Sequence, residues 1–208
     1  MPDPSNLHTL TGGRRTAQVR RERIIAAART LFAQHGFDGT GMAQIARESQ
    51  VLVGQIYRDF AGKEDLIAAI VERDLADLLD DPQLANAMAS GDADRLSQWV
   101  RGFIGNTMDE DMRKVLAHIL SEGTRNPRIA VILEQANQSL RDRIASAAQI
   151  WIPDPEKGAE RLALADLILT VCGALHHRRI FGLPANPHIT QKMIALVEAE
   201  VERVSTPG

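Results

Sequence analysis

The sequence predicts an all-α protein of about nine helices. Two observations carry that expectation. Apolar residues recur three and four apart through most of the chain, and no segment alternates apolar and polar as a half-buried strand does. Breaking residues collect at boundaries: Asn126-Pro127, Asp154-Pro155 and Asn186-Pro187 each set an N-cap side chain before a proline at the first helical position, where the missing N–H costs nothing. Of the 208 residues 44% are hydrophobic and only 4% aromatic, which suits helices built on Ala, Leu and Ile.

Residues 1–13 (MPDPSNLHTLTGG) show no period and read as a mobile tail. From Arg14 onward Ile24, Ile25, Ala28, Leu31 and Phe32 form one apolar stripe, and Gly36 closes this first helix. Two short helices follow, Met42–Ser49 and Val53–Asp59, separated only by Gln50-Val51-Leu52, the tight bend of a helix-turn-helix. Lys63-Glu64-Asp65 opens a longer helix over 63–80, striped with Ile67, Val71, Leu75 and Leu78, and Asp81-Pro82 closes it. Helices are then expected over 94–107 (Leu96, Trp99, Val100, Phe103) and 109–123 (Met112, Val115, Leu116, Ile119). The three capped starts open the last helices, reaching about Trp151, Phe181 and Val204. The expected organisation is a tail over 1–13, a helix-turn-helix domain over 14–63 and a second helical domain over 64–208.

Charge is distributed unevenly. Residues 1–63 hold nine Lys/Arg against five Asp/Glu, whereas the remainder holds 15 against 22. A polyanion is therefore drawn to the front of the chain. The single cysteine, Cys172, excludes an internal disulfide, and the N-terminus lacks the charged start and apolar run of a signal peptide, so a cytoplasmic location is expected. The longest apolar run, 162–175, is interrupted by Asp166 and is shorter than the roughly 20 residues a bilayer needs, so no membrane partner is expected. Enzyme chemistry finds little support: there is no Gly-rich phosphate loop and no nucleophile elbow. Histidines 118, 176, 177 and 188 with Cys172 show no tetrahedral spacing, since neighbours such as His176 and His177 diverge by about 100° on a helix. No metal or cofactor is expected.

A helix fits the DNA major groove, and a short preceding helix can brace it against the backbone. Within Val53–Asp59, Ile56 and the following Phe60 lie four apart and face inward, leaving Val53, Gln55, Tyr57 and Arg58 outward. Gln55 can pair with adenine, Arg58 with guanine, and Val53 can touch a thymine methyl. Arg14, Arg15, Arg20, Arg21 and Arg23, just ahead of the motif, suit phosphate tracking better as a group than as a solvated face.

The ordered set Arg23-Ile-Ile-Ala-Ala-Ala, Leu31-Phe32, Gly36-Phe37, Thr40, Ile45-Ala46, Val51, Gly54, Ile56-Tyr57, Phe60 and Lys63-Glu-Asp-Leu66 resembles the DNA-binding domain of the tetracycline-repressor-like (TetR/AcrR) family. The resemblance covers about residues 20–70. It implies a ligand-responsive repressor that binds palindromic double-stranded operator DNA as a homodimer, and it places Tyr57 and Lys63 where relatives contact phosphates. With the flanking Gly41, Ala43, Arg47 and Gly54, these residues complete the candidate DNA face. Four positions depart from the family pattern. Gly41 lacks the usual Ser or Thr cap, although Gln44 keeps half a capping box; Gln50 replaces the turn glycine and is expected left-handed; Leu52 replaces a capping Ser. Asp59 puts an acid near DNA, and is expected to pair with Arg58 or Arg47 or to point past the backbone.

In the rear domain the resemblance implies a four-helix bundle between the last two helices and their mates across a two-fold axis. Ile189, Met193, Leu196 and Val197 repeat at helical spacing and are candidate dimer contacts. Asp166, inside an apolar run, needs a partner, and with Thr170, Gly173 and His177 it forms a polar stripe. That stripe suits a dimer contact, a pocket lining or a wet face; Asp166, Thr170 and Gly173 are carried forward with the dimer set. A small, mostly apolar effector is expected among the helices of 94–181. Its candidate lining is Trp99, Phe103, Met112, Leu116, Leu133 and Leu140, with His118, Asn137 and His177 as polar handles. The alternatives are a DNA-binding dimer without sensing and a helical adaptor, which the basic front argues against.

Overall fold

The computed structural model describes residues 5–106 and 109–205, with side chains from Arg15 onward. Residues 1–4 of the expected tail and Thr107 of the helix expected over 94–107 lie outside these. Ten α-helices occur among the described residues: α1 Ser5–His35, α2 Met42–Ser49, α3 Val53–Asp59, α4 Lys63–Leu79, α5 Pro82–Ser90, α6 Ala93–Gly105, α7 Glu110–Gly123, α8 Pro127–Ala147, α9 Gly158–Ile180 and α10 Pro187–Ser205. Short 3-10 turns at Ala148–Ile150 and Pro155–Lys157 lie between α8 and α9. No strand occurs among the described residues, and no helix there is long and apolar enough to cross a membrane.

Two sequence expectations are corrected. The first helix reaches back to Ser5, through most of the stretch read as a tail. Once a long helix is nucleated, each added residue gains a hydrogen bond at little cost, and glycines weaken such an extension without breaking it. The second correction is α5. Asp81-Pro82 does not only end α4: the Asp81 carboxylate accepts from the backbone N–H of Gln83 at 2.7 Å and of Leu84 at 3.1 Å, with Pro82 in the first turn. The same chemistry that marks three other helix starts opens a fourth.

The chain forms two compact units. The first comprises Met1–Val71 and Glu110–Ala130; the second comprises Glu72–Asp109 and Val131–Gly208. The helix-turn-helix unit is thus larger than the 14–63 expected from sequence, because α7 packs along α1. Its core is built from Ile24, Ala28 and Phe32 of α1, Ile45 of α2, Ile56 of α3, Phe60, and Leu66 and Ile70 of α4, all essentially sealed from water. Burying each of the larger side chains contributes about 1.5–3 kcal/mol. Gly36 ends α1 with φ +71°, and Thr40 Oγ1 donates to the Leu31 and Gly36 carbonyls, satisfying acceptors the helix leaves orphaned. Gly39 is required by space: a Cβ there would lie 2.3 Å from the His35 carbonyl oxygen.

The second unit has its own core of Leu84, Leu96, Trp99, Val100 and Ile104 against Ile144, Trp151, Leu164, Ile168, Leu175 and Val197. Trp99 and Phe103 stack, with ring centroids 5.1 Å apart and planes 15° from parallel.

Candidate nucleic-acid interface

The bend between α2 and α3 is made by Gln50, whose φ of 55° and ψ of 40° are left-handed. Its backbone N–H donates to the Arg47 carbonyl, and the Val51 N–H to the Ala46 carbonyl, closing α2. Arg23 reaches over from α1: its Nη2 donates to the Ser49 carbonyl at 2.7 Å and to Gln50 Oε1 at 3.3 Å. A non-glycine residue at positive φ carries strain, and this guanidinium helps to hold it.

α3 is anchored through Ile56 and Phe60, which are buried, while Val53, Gly54, Tyr57 and Arg58 are exposed. An apolar Val53 at 43% and a Tyr57 at 55% exposure, side by side with Arg58, make an outward face of groove-reading chemistry. Gln55 is half-buried, and its Oε1 accepts from the Leu52 backbone N–H at 3.3 Å. It therefore caps α3 as well as flanking the face, which its place three residues after the N-cap signalled in the sequence. From α2, Gly41, Ala43 and Arg47 are also exposed. The Gly41 N-cap makes no side-chain hydrogen bond, and a Cβ there would meet nothing within 4 Å.

Lys63 turns inward. Its Nζ donates to the Phe37 carbonyl at 2.5 Å and lies 4.3 Å from the centre of the Phe37 ring. An ammonium has three donors, so one bond leaves two to offer a phosphate.

Asp59 is paired, but with neither arginine expected from sequence. Arg20 Nε and Nη2 donate to its two carboxylate oxygens at 2.7 and 2.9 Å, tying α1 to the end of α3. Arg20's donation is the main reason the Asp59 carboxyl sits below the ordinary aspartate range. Arg21 adds a bond to the Asp59 carbonyl and lies 4.4 Å over the Phe60 ring. Of the five arginines read as phosphate trackers, Arg20 and Arg21 thus bond to the end of α3 and Arg23 to the turn between α2 and α3. Sequence spacing offers no signal for this, because positions 20 and 59 are joined only by the fold.

The other predicted residues are distributed as follows. Of the effector set, Met112, Leu116 and His118 lie in the first unit, and His118 abuts Gly36 at the end of α1. Trp99, Phe103, Leu133, Asn137, Leu140 and His177 lie in the second unit, where Trp99 is core and Asn137 and His177 are exposed. A cavity of about 440 Å³ in that unit is lined instead by α6, Trp151 and α10, including Asp94, Arg101, Glu198 and Glu202. Of the dimer set, Leu196 is 59% exposed, Ile189 and Met193 are half-buried, and Val197 is buried in its own unit. Asp166 has the partner its place demanded: Arg141 of α8 grips it at 2.6 and 2.8 Å. Asp166, Thr170 and His177 are exposed and Gly173 is half-buried, so the stripe faces outward within this chain. Among the described residues no three His, Cys, Asp or Glu side chains gather as a metal site. Cys172 is buried, and burial pushes its thiol up to about 11.

A bent pair of short helices, the second presenting Val53, Tyr57 and Arg58 outward, has the geometry of a helix-turn-helix motif. Residues 24–70 match the model of the tetR family of bacterial regulatory proteins. Over those residues the chain is similar to the DNA-binding part of that family. It is 29% identical over 133 residues to the HTH-type transcriptional regulator UidR of Escherichia coli strain K12, a match covering 62% of this chain and 64% of that protein. The alignment thus spans a little under two thirds of the relative's length. Among solved structures, a TetR-family regulator from Mesorhizobium loti superposes with a TM-score of 0.69 at 21% identity, covering 90% of this chain and 96% of that one. A transcriptional regulator from Saccharomonospora viridis, crystallised in complex with choline, gives 0.60 at 22% identity, covering 88% and 95%. At these identities the structural likenesses speak for the fold.

Proposed function

We propose that this chain is a cytoplasmic, ligand-responsive repressor that binds palindromic operator DNA as a homodimer. The observation that carries the DNA-binding part is the outward face of α3, with Val53, Tyr57 and Arg58 exposed over a sealed Ile56 and Phe60. Within the face, Arg58 reads guanine, Gln55 and Val53 read their neighbours, and Tyr57, Lys63, Arg47 and the backbone at Gly41, Ala43 and Gly54 approach phosphates. Two half-sites require two reading heads at fixed separation, which a two-fold dimer supplies. Leu196 on α10, together with the outward Asp166, Thr170 and Gly173 on α9, supports α9 and α10 as the joining helices.

The effector part rests on the second unit being a separate helical body whose contents are unlike a DNA interface. The choline complex of the Saccharomonospora regulator supports the expectation that such a body accepts a small molecule. The effector acts only through differential affinity: it must favour the conformation that holds DNA poorly. Fluorescence anisotropy with a labelled duplex from upstream of the gene tests the DNA reading. Tight binding that falls steeply with salt is expected. Arg58→Ala should cost about 1–3 kcal/mol at particular base pairs. Equal affinity for that duplex and for random DNA would remove the proposal.

A further inference from the structure

Arg143 on α8 is a cation without an anion. Its Nε is sealed from solvent and has no hydrogen-bond partner, and its one bond is from Nη2 to the Leu79 carbonyl at the end of α4, at a marginal 3.5 Å. Both residues belong to the second unit. Elsewhere in the unit Arg95, Arg101, Arg141 and Arg203 pair with carboxylates, and Arg161 serves three backbone carbonyls. A guanidinium carries five donors and cannot shed its charge. One long bond to a helix-end carbonyl, which its position beside the negative end of α4 favours, leaves most of those donors unused. Arg143 is half-buried, but its sealed Nε is an orphaned donor, and a buried donor left without an acceptor is costly and marks a place where one belongs.

The position of Arg143 on α8 indicates what that partner looks like. Arg141, two residues earlier and about 200° around the helix, points the opposite way and is occupied by Asp166. Arg143 instead borders the stripe of Leu133, Asn137 and Leu140, and Leu140 packs half-buried against the unit's core. A ligand reaching Arg143 along that stripe has an apolar body beside leucine and a planar anion at the fork.

We propose that Arg143 is the anchor for the carboxylate of an amphiphilic organic acid, and that this acid is the class of effector the second unit takes. The proposal rests on the sensing role put forward above. A carboxylate would form two charge-assisted bonds at ordinary length in place of the single 3.5 Å contact, and so would draw the guanidinium off the end of α4. Because α4 runs without interruption from Lys63 to Leu79, loosening its end gives an anion a route to differential affinity.

The test uses the full-length chain and three probes of equal length, octanoate, octan-1-ol and octylamine, below micelle-forming concentration, with binding read by calorimetry and melting. Wild type should bind octanoate about 10- to 100-fold more tightly than octan-1-ol. Arg143→Met should bind the two alike while still folding by circular dichroism. If the methionine variant does not fold, Arg143→Lys carries the test: its point charge cannot form the fork, and octanoate should weaken about tenfold with octan-1-ol unchanged. Were Arg143 only a cap on α4, the variants would melt earlier without changing the ratio of acid to alcohol. That outcome, or alcohol or amine binding as well as acid in wild type, overturns the anchor while leaving sensing intact. Binding of none of the three overturns the anchor, and sensing is then judged separately by whether any metabolite releases the operator duplex.

Discussion

Asp59 and Arg20 tie the end of α3 to α1, and so bear on how firmly the proposed reading helix is held. Replacing Asp59 with Asn removes the charge but keeps the shape, leaving Arg20 without its anion beside α3. Operator affinity should fall, with the loss spread evenly over base pairs, because the orientation of α3 is affected rather than one contact. The dependence on pH follows from the direction of the Asp59 shift. A carboxyl held below its ordinary range contributes stability above its unfolded pKa, near 3.9, and loses it as pH falls through the lower folded value. The melting difference between wild type and Asp59→Asn should therefore be constant around neutrality and close as pH falls below the unfolded pKa and through the lower folded one; a difference that grows in acid would contradict the pairing. Glycines give a second residue-scale contrast. Gly39→Ala places a Cβ 2.3 Å from the His35 oxygen and should disrupt the corner after α1, whereas Gly41→Ser meets empty space and adds a missing cap. The serine variant should gain a few tenths of a kcal/mol in chemical denaturation. From sequence, the inward Ile56 and Phe60 and the exposed Val53, Tyr57 and Arg58 were readable because a seven-residue helix has one buried edge, whereas Gln55, expected outward, is half-buried and caps the helix. The clamp was not readable, because Arg20 reads equally well as a solvated or phosphate-facing cation until the fold brings Asp59 to it.

Helix boundaries were legible wherever a local signal has one meaning. Asn126 and Asn186 cap α8 and α10 through their side-chain oxygens, as their Asn-Pro pairs announce. Asp154-Pro155 opens a 3-10 turn first, and α9 proper starts at Gly158. Asp81-Pro82 was ambiguous in kind: a proline ends one helix and begins the next, and the segment after it, Gln-Leu-Ala-Asn-Ala-Met-Ala-Ser, is too short for a strong period. Only Leu84 and Ala87 are buried from it. The cap is then a large share of what fixes α5, so Asp81→Ala should cost about 0.5–2 kcal/mol in denaturant unfolding, while Asp81→Asn, which keeps an acceptor, should cost little. The assignment of α7 could not be read in sequence at all. Its Met112, Val115, Leu116 and Ile119 stripe shows that one face is buried but not against what, and the answer is α1, where Arg29 meets the Met112 sulfur at 3.2 Å.

For the whole molecule the proposed dimer makes the sharpest demand, because α10 carries adjacent residues with opposite surroundings. Val197 is 1% exposed and packs into the core of its own unit; Leu196, its neighbour, is 59% exposed. An aspartate at either site introduces the same charge, yet the consequences should differ in kind. Val197→Asp buries an unpaired carboxylate and should unfold or severely destabilise the second unit, lowering helix content. Leu196→Asp costs an isolated chain almost nothing, since the charge stays in water, but in a dimer joined through α10 it would be pressed against a two-fold mate carrying the same charge. Sedimentation should show wild type as a dimer and Leu196→Asp as a folded monomer with unchanged circular dichroism. Operator binding should fail with it, because one reading head engages one half-site and loses the gain from simultaneous engagement. Charge reversal at a rim site only slows association, and salt relieves it. A monomer that persists at high salt would therefore place Leu196 inside the interface, and a dimer indifferent to the substitution would remove α10 from it.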